Sequence, residues 1–204
     1  MNLFDLAPVI PVVVLHDAEV AVPLAEALLA GGLPVIEVTL RTQAALTVIE
    51  RIAEALPEAI VGAGTIVSAG QVSSARSAGA RFLVSPGCTE RLAGAMTGSG
   101  LPFLAGVATA SEALALIERG ITAMKFFPAE AAGGVAYLKS LAGPLPQARF
   151  CPTGGITPEN APDYLALPNV GCVGGSWLTP ADAVAAQDWK RIEELARAAA
   201  ELRA

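Results

Sequence analysis

Eight short apolar runs recur along this chain, and their rhythm constrains the fold more than any single motif. The runs are Val9–Leu15, Val35–Leu40, Ile60–Gly62, Phe82–Ser85, Phe103–Gly106, Ala123–Phe127, Arg149–Pro152 and Gly171–Gly174, with starts 20 to 26 residues apart. Each is followed by a helix-like segment. Short strands alternating with helices argue for parallel βα units, and eight such units close naturally into a barrel. The expected fold is therefore α/β, a (β/α)8 TIM barrel forming one domain over residues 1–204. Met1–Ala7 is expected to form a short helix capping the barrel bottom. An open, doubly wound sheet is the alternative compatible with the same alternation.

The helix signals are physical. Asp17, Thr42, Ser68, Thr89, Ser111 and Asp182 stand where an N-cap side chain could satisfy the orphan amides of a first turn. Thr157-Pro158-Glu159 adds proline at a first helical position, where its missing N–H costs nothing. Within Thr42–Pro57, Ala45, Ile49, Ile52, Ala53 and Leu56 have helical spacing. Gly79 and Gly120 are placed to close their helices in the left-handed conformation.

Only 16% of residues are charged, which raises the membrane question. The longest uncharged stretches, Leu92–Ser111 and Tyr164–Ala181, are broken by Gly, Pro, Ser and Thr and read as strand–loop–helix rather than as spans. No basic segment followed by a long apolar run opens the chain, so no signal peptide is expected. A net charge of −6 without a basic stripe argues against nucleic acid as a partner. The sparse, odd set Cys88, Cys151 and Cys172 suits a reducing cytoplasm better than a disulfide framework, and no pair has metal-ligand spacing. The lone histidine, His16, reads as a polar residue at a strand end.

Active sites in such barrels lie at the C-terminal ends of the strands. Three stretches there carry polar chemistry. The chain has three lysines, and only Lys125 sits inside an apolar strand, on the same face as Ala123 and Phe127. If that face is the lumen, burial penalises the ammonium and favours the neutral, nucleophilic amine of Schiff-base chemistry. The alternative is a strand lysine that reaches solvent or pairs with a carboxylate. In Ile36-Glu37-Val38-Thr39-Leu40-Arg41, alternation places Glu37, Thr39 and Arg41 on one face. Glu37 and Arg41 either neutralise each other or serve as proton shuttle and carboxylate clamp. Thr153-Gly154-Gly155-Ile156 and Gly174-Gly175-Ser176 follow the seventh and eighth runs. Glycine turns explain either alone, whereas the pair suits a phosphate held by backbone amides near helix N-termini. Thr65, in Gly62-Ala63-Gly64-Thr65, either caps a tight turn or offers its hydroxyl to the mouth.

Taken together, Glu37–Thr42, Val61–Thr65, Ser85-Pro86-Gly87, Lys125–Glu130, Cys151–Ile156 and Gly174–Trp177 resemble the 2-keto-3-deoxy-6-phosphogluconate (KDPG) and 4-hydroxy-2-oxoglutarate (KHG) aldolases. The resemblance spans nearly the whole chain. It implies a homotrimeric barrel with no metal and no cofactor beyond a covalent lysine Schiff base with its substrate, a phosphorylated keto acid. It implies Lys125 as the Schiff-base lysine and Glu37 as general acid and base. Arg41 and Thr65 would hold the substrate carboxylate, Gly154, Gly155, Gly175 and Ser176 the phosphate, and Pro86 and Phe127 the pocket walls. Thr153 matches the gluconate-type enzymes, where galactonate-specific relatives tend to have an aliphatic residue. The galactonate aldolase is the nearest alternative. A phosphosugar isomerase or epimerase on the same barrel, and a barrel serving as a non-catalytic assembly subunit, are the more distant ones.

Overall fold

The computed structural model describes residues 1–203. Its strands are β1 (Val9–Val13), β2 (Val35–Thr39), β3 (Ile60–Gly64), β4 (Leu83–Val84), β5 (Phe103–Val107), β6 (Ala123–Phe126), β7 (Arg149–Pro152) and β8 (Val173–Gly175). The helices are α1 (Ala21–Ala30), α2 (Ala45–Ala55), α3 (Ala69–Ser77), α4 (Glu90–Gly98), α5 (Ala110–Ile117), α6 (Gly134–Leu141), α7 (Ala161–Leu165), α8 (Ala181–Ala185) and α9 (Trp189–Ala200).

The strands pair in parallel in the order β7-β6-β5-β4-β3-β2-β1-β8. Two further parallel bridges, Phe150 to Val170 and Thr153 to Gly174, join the segments of β7 and β8 and close the ring. This is the (β/α)8 barrel. A doubly wound sheet would reverse its strand order partway, and no reversal occurs.

Residues opposite one another in a parallel pair share a face of the sheet. The register sets Val12 beside Glu37, Glu37 beside Gly62, and Lys125 between Gly106 and Cys151. These form the lumen lining. The alternate residues Ile36, Val38, Val61 and Ala63 face the helices and are buried. Helices answer with apolar stripes, as in α2, where Ile49 and Ile52 are fully covered.

Some helix starts fall where expected. Ser68 and Thr89 cap α3 and α4 by accepting the amides of Gln71 and Leu92. Gly79 and Gly120 take the left-handed backbone past α3 and α5. Others do not. α5 is capped by Thr109 rather than Ser111, in a capping box with Glu112. Asp17 accepts the Glu19 amide in a turn ahead of α1. The Thr42 hydroxyl donates to the Leu15 carbonyl, tying the β1 and β2 loops, and α2 starts at Ala45. Asp182 lies inside α8 and pairs with Arg191. The Thr157 amide donates to the Asn160 side chain, and α7 begins only at Ala161. The last helical segment is split into α8 and α9, with Asp188 capping the second. α9 packs so closely on α1 that a Cβ on Gly31 would overlap Ala196.

At the bottom, Leu3–Asp5 form a short 3-10 helix whose Phe4 ring fills the space above Gly171. The Arg149 guanidinium stands 4.9 Å from the centre of that ring. The lower opening is thereby plugged, and the polar lumen residues face the opposite end.

Candidate active site

Lys125 and Glu37 meet across the lumen. Lys125 Nζ donates to Glu37 Oε1 at 3.1 Å and lies 3.5 Å from Oε2. The two residues are 4% and 3% exposed. Lys125 is thus buried in the lumen rather than reaching solvent, and there it pairs with a carboxylate, each charge offsetting the other's loss of water. The Phe127 ring supplies a further wall, its centre 5.6 Å from Nζ. The alternative in which Glu37 neutralises Arg41 does not hold, because Glu37 is engaged with Lys125 and Arg41 turns elsewhere.

Arg41 follows β2 and points up toward the mouth. Its Nε donates to the Thr65 hydroxyl at 3.1 Å, which leaves the outer guanidinium nitrogens available for a forked carboxylate contact. Thr65 stands in the left-handed region at φ 58°, uncommon for a β-branched residue and held here by the turn after β3. Thr39, between Glu37 and Arg41, is buried and donates to the Val13 carbonyl at 3.1 Å, fixing β2 to β1.

A cleft of about 110 Å³ opens at the mouth, lined among others by Val12, Arg41, Phe127, Thr153, Gly154 and Ser176. The two glycine loops therefore meet at one place. Gly154 and Gly155 take φ of 98° and 78°. Their carbonyls are occupied, accepting from the Glu130 amide and the Asn160 side chain. Gly174 faces inward, where a Cβ would overlap the Thr153 hydroxyl, and Gly175 faces the Trp177 ring. Neither loop runs directly into a helix, since α7 begins at Ala161 and α8 at Ala181. Any anion here would be held by loop amides and the Ser176 hydroxyl, without the helix N-termini expected from sequence. Pro86 closes another side, its backbone lying where a Cβ on Gly106 would stand.

A larger cavity of about 410 Å³ adjoins the cleft, sharing Val12 and Ser176 and extending past His16 toward α8. Neither space is lined by Lys125 or Glu37. The smaller one is joined to that pair through Phe127, which lines it and stands beside Lys125 Nζ, and it alone of the two carries Arg41 and the β7 glycine loop.

Sequence reasoning missed the support beneath the β7 loop. The Tyr164 hydroxyl donates to Glu130 Oε1, and burial, reinforced by that carboxylate, pushes the phenol above its ordinary range. Glu130 fills the space where a Gly155 side chain would stand. No spacing rule links a residue of α7 to one after β6. Val12 was equally silent, although its alternation with Ile10 could have marked it as lumen-facing.

With this geometry in view, the likeness to known proteins is specific. The model of the KDPG and KHG aldolase family matches residues 1–195. A 2-dehydro-3-deoxy-phosphogluconate aldolase of Pseudoalteromonas atlantica is 53% identical, over 97% of this chain and 92% of its own. The KHG/KDPG aldolase of Escherichia coli K12 is 52% identical, over 98% of this chain and 94% of its own. The crystal structure of a KDPG aldolase from Legionella pneumophila, with pyruvate captured as a covalent carbinolamine, superposes with a TM-score of 0.95. It is 47% identical and the match covers 97% of this chain and 96% of that one. The chain belongs to the KDPG and KHG aldolase family.

Proposed function

We propose that this protein is a class I aldolase, a carbon–carbon lyase. It cleaves 2-keto-3-deoxy-6-phosphogluconate to pyruvate and D-glyceraldehyde 3-phosphate, and 4-hydroxy-2-oxoglutarate to pyruvate and glyoxylate. The observation that carries the reading is a buried lysine nitrogen 3.1 Å from a buried carboxylate at the mouth of the barrel. A Schiff-base lysine needs a partner that can take its proton and return it, and Glu37 is within direct reach.

Arg41, oriented by Thr65, holds the substrate carboxylate. The loops Thr153–Gly155 and Gly174–Ser176 hold the phosphate at the other end. Two anchors fix the C2 carbonyl over Lys125, removing much of the entropic barrier. The Lys125 ammonium passes a proton to Glu37, the neutral amine adds to C2, and one of the nitrogen's remaining protons moves to the carbonyl oxygen to give the carbinolamine hydroxyl. Glu37 returns the proton to the departing hydroxyl, which leaves as water, and an iminium remains. The Glu37 carboxylate then takes the C4 hydroxyl proton. The C3–C4 bond breaks, its electron pair moves into the iminium as an enamine, and the aldehyde departs. Glu37 protonates C3, and hydrolysis frees pyruvate and the lysine. The lysine is the only covalent catalyst this sequence of steps needs. Thr153 at the cleft supports the gluconate epimer. A homotrimer and a cytoplasmic setting complete the reading, on the family resemblance and the cysteine usage.

Borohydride reduction in the presence of pyruvate tests it. A carboxyethyl adduct is expected on Lys125, with the exposed Lys139 and Lys190 unmodified in the peptide map. An unmodified Lys125 peptide would remove the imine and the mechanism with it.

A further inference from the structure

We infer that Gly64 is a positioning residue for Glu37: its bare Cα lets the carboxylate cross β3 and reach Lys125. The inference rests on the roles given to Glu37 and Lys125 above. The register partner of Glu37 on β3 is Gly62. Its side chain nevertheless leans toward the mouth and lies over Gly64, one lumen position further along. A Cβ at Gly64 would stand 2.6 Å from both Cγ and Cδ of Glu37 and would overlap Oε1. Carbon atoms rest about 3.5–4.0 Å apart, so one group must move.

Glu37 is the group that moves. Gly64 is pinned in its ladder, paired with Thr39 and accepting the Leu40 amide at 2.8 Å. Its backbone is outside the left-handed region that eight other glycines occupy, so alanine is conformationally permitted. The three heavy atoms nearest the missing Cβ all belong to Glu37. Gly62 differs: a Cβ there would overlap the Phe82 ring, a packing conflict in a lower layer with no link to the carboxylate. An added methyl at Gly64 therefore turns Glu37 away from Lys125 and leaves the strand in place.

Gly64 also precedes Thr65, so the same substitution could act through the Arg41 contact. A mutant cycle separates the two routes. Pyruvate release is measured for Gly64→Ala, Glu37→Ala and the double variant. Gly64→Ala is expected to lower kcat about 100-fold or more, the range of a lost general acid–base. KM should stay within about threefold, because the carboxylate anchor is untouched. In the Glu37→Ala background the added methyl should change kcat by less than about twofold, since residues acting as one unit are not additive. An equal fold loss in both backgrounds, or a wild-type kcat for Gly64→Ala beside a slow Glu37→Ala, overturns the inference alone. A wild-type rate for Glu37→Ala overturns the role of Glu37 and the inference together. Thermal melting covers the case of poor folding. The drop caused by Gly64→Ala should persist with Glu37→Gln, which keeps the side-chain length, and vanish with Glu37→Ala. A drop that persists with Glu37→Ala rules the inference out.

Discussion

Thr65 shows how much one residue carries at this site. A β-branched side chain at φ 58° stores backbone strain of about 1–3 kcal/mol, kept only where the surroundings over-determine it. In return its hydroxyl receives Arg41 Nε and aims the guanidinium. Thr65→Val keeps the branch and removes the hydroxyl. A hydrogen bond to a charged group is worth about 1.5 kcal/mol or more, so KM for pyruvate in the condensation direction should rise about tenfold with kcat little changed. Steady-state kinetics decide it, and a matching fall in kcat would assign Thr65 a role in the chemical step. At this scale the sequence was informative about faces and silent about meetings. Alternation placed Glu37, Thr39 and Arg41 together, and Lys125 stood out as the one lysine within an apolar strand. That Lys125 finds Glu37, 88 positions away, depends on β2 and β6 facing each other across a closed lumen. The lean of Glu37 over Gly64 depends on the absence of a side chain, which no hydrophobic period reports.

Among the elements, strands were easier to read than helix starts. A strand in this barrel is an apolar run, whereas a cap is one polar residue among several near each βα junction. Asp17, Thr42 and Asp182 are polar for other purposes: a turn, a tie to the Leu15 carbonyl, and an ion pair with Arg191. At α5 the signal was displaced by two residues. Thr109 accepts the Glu112 amide while the Glu112 carboxylate accepts those of Ala108 and Thr109. Thr109→Ala is expected to cost about 1 kcal/mol, read as a lower melting temperature with turnover unchanged. The bond from the Ala108 amide, with further bonds from Thr109, holds the Glu112 carboxyl below its ordinary range. Its stabilising effect is therefore present above the unfolded carboxylate range and lost as pH falls through the depressed folded value. Glu112→Gln should flatten that part of the acid unfolding curve. Glycines recur as the receiving surface for working groups: Gly64 under Glu37, Gly174 beside Thr153, Gly106 beneath Pro86.

The whole molecule divides its labour along the barrel axis. The lower end is closed by Phe4 over Gly171 and by Arg149 on the Phe4 ring, so it serves stability, while the upper end holds every proposed reacting group. Alternation and count favoured closure over an open sheet, and the unreversed strand order with the β7–β8 bridges decides for it. The place where the ladder breaks into isolated bridges was not legible, because no hydrophobic period reports it. β7 and β8 meet through two single bridges, and the loops above that seam are those proposed to hold the phosphate. An anion gripped from both sides acts as a rivet across that interrupted seam of the hoop. Inorganic phosphate at about 100 times its dissociation constant should then stabilise the fold by about 2.7 kcal/mol. Amide exchange should slow first around Val170 and Gly174, while uniform slowing across the barrel would show that the joint was never the yielding point.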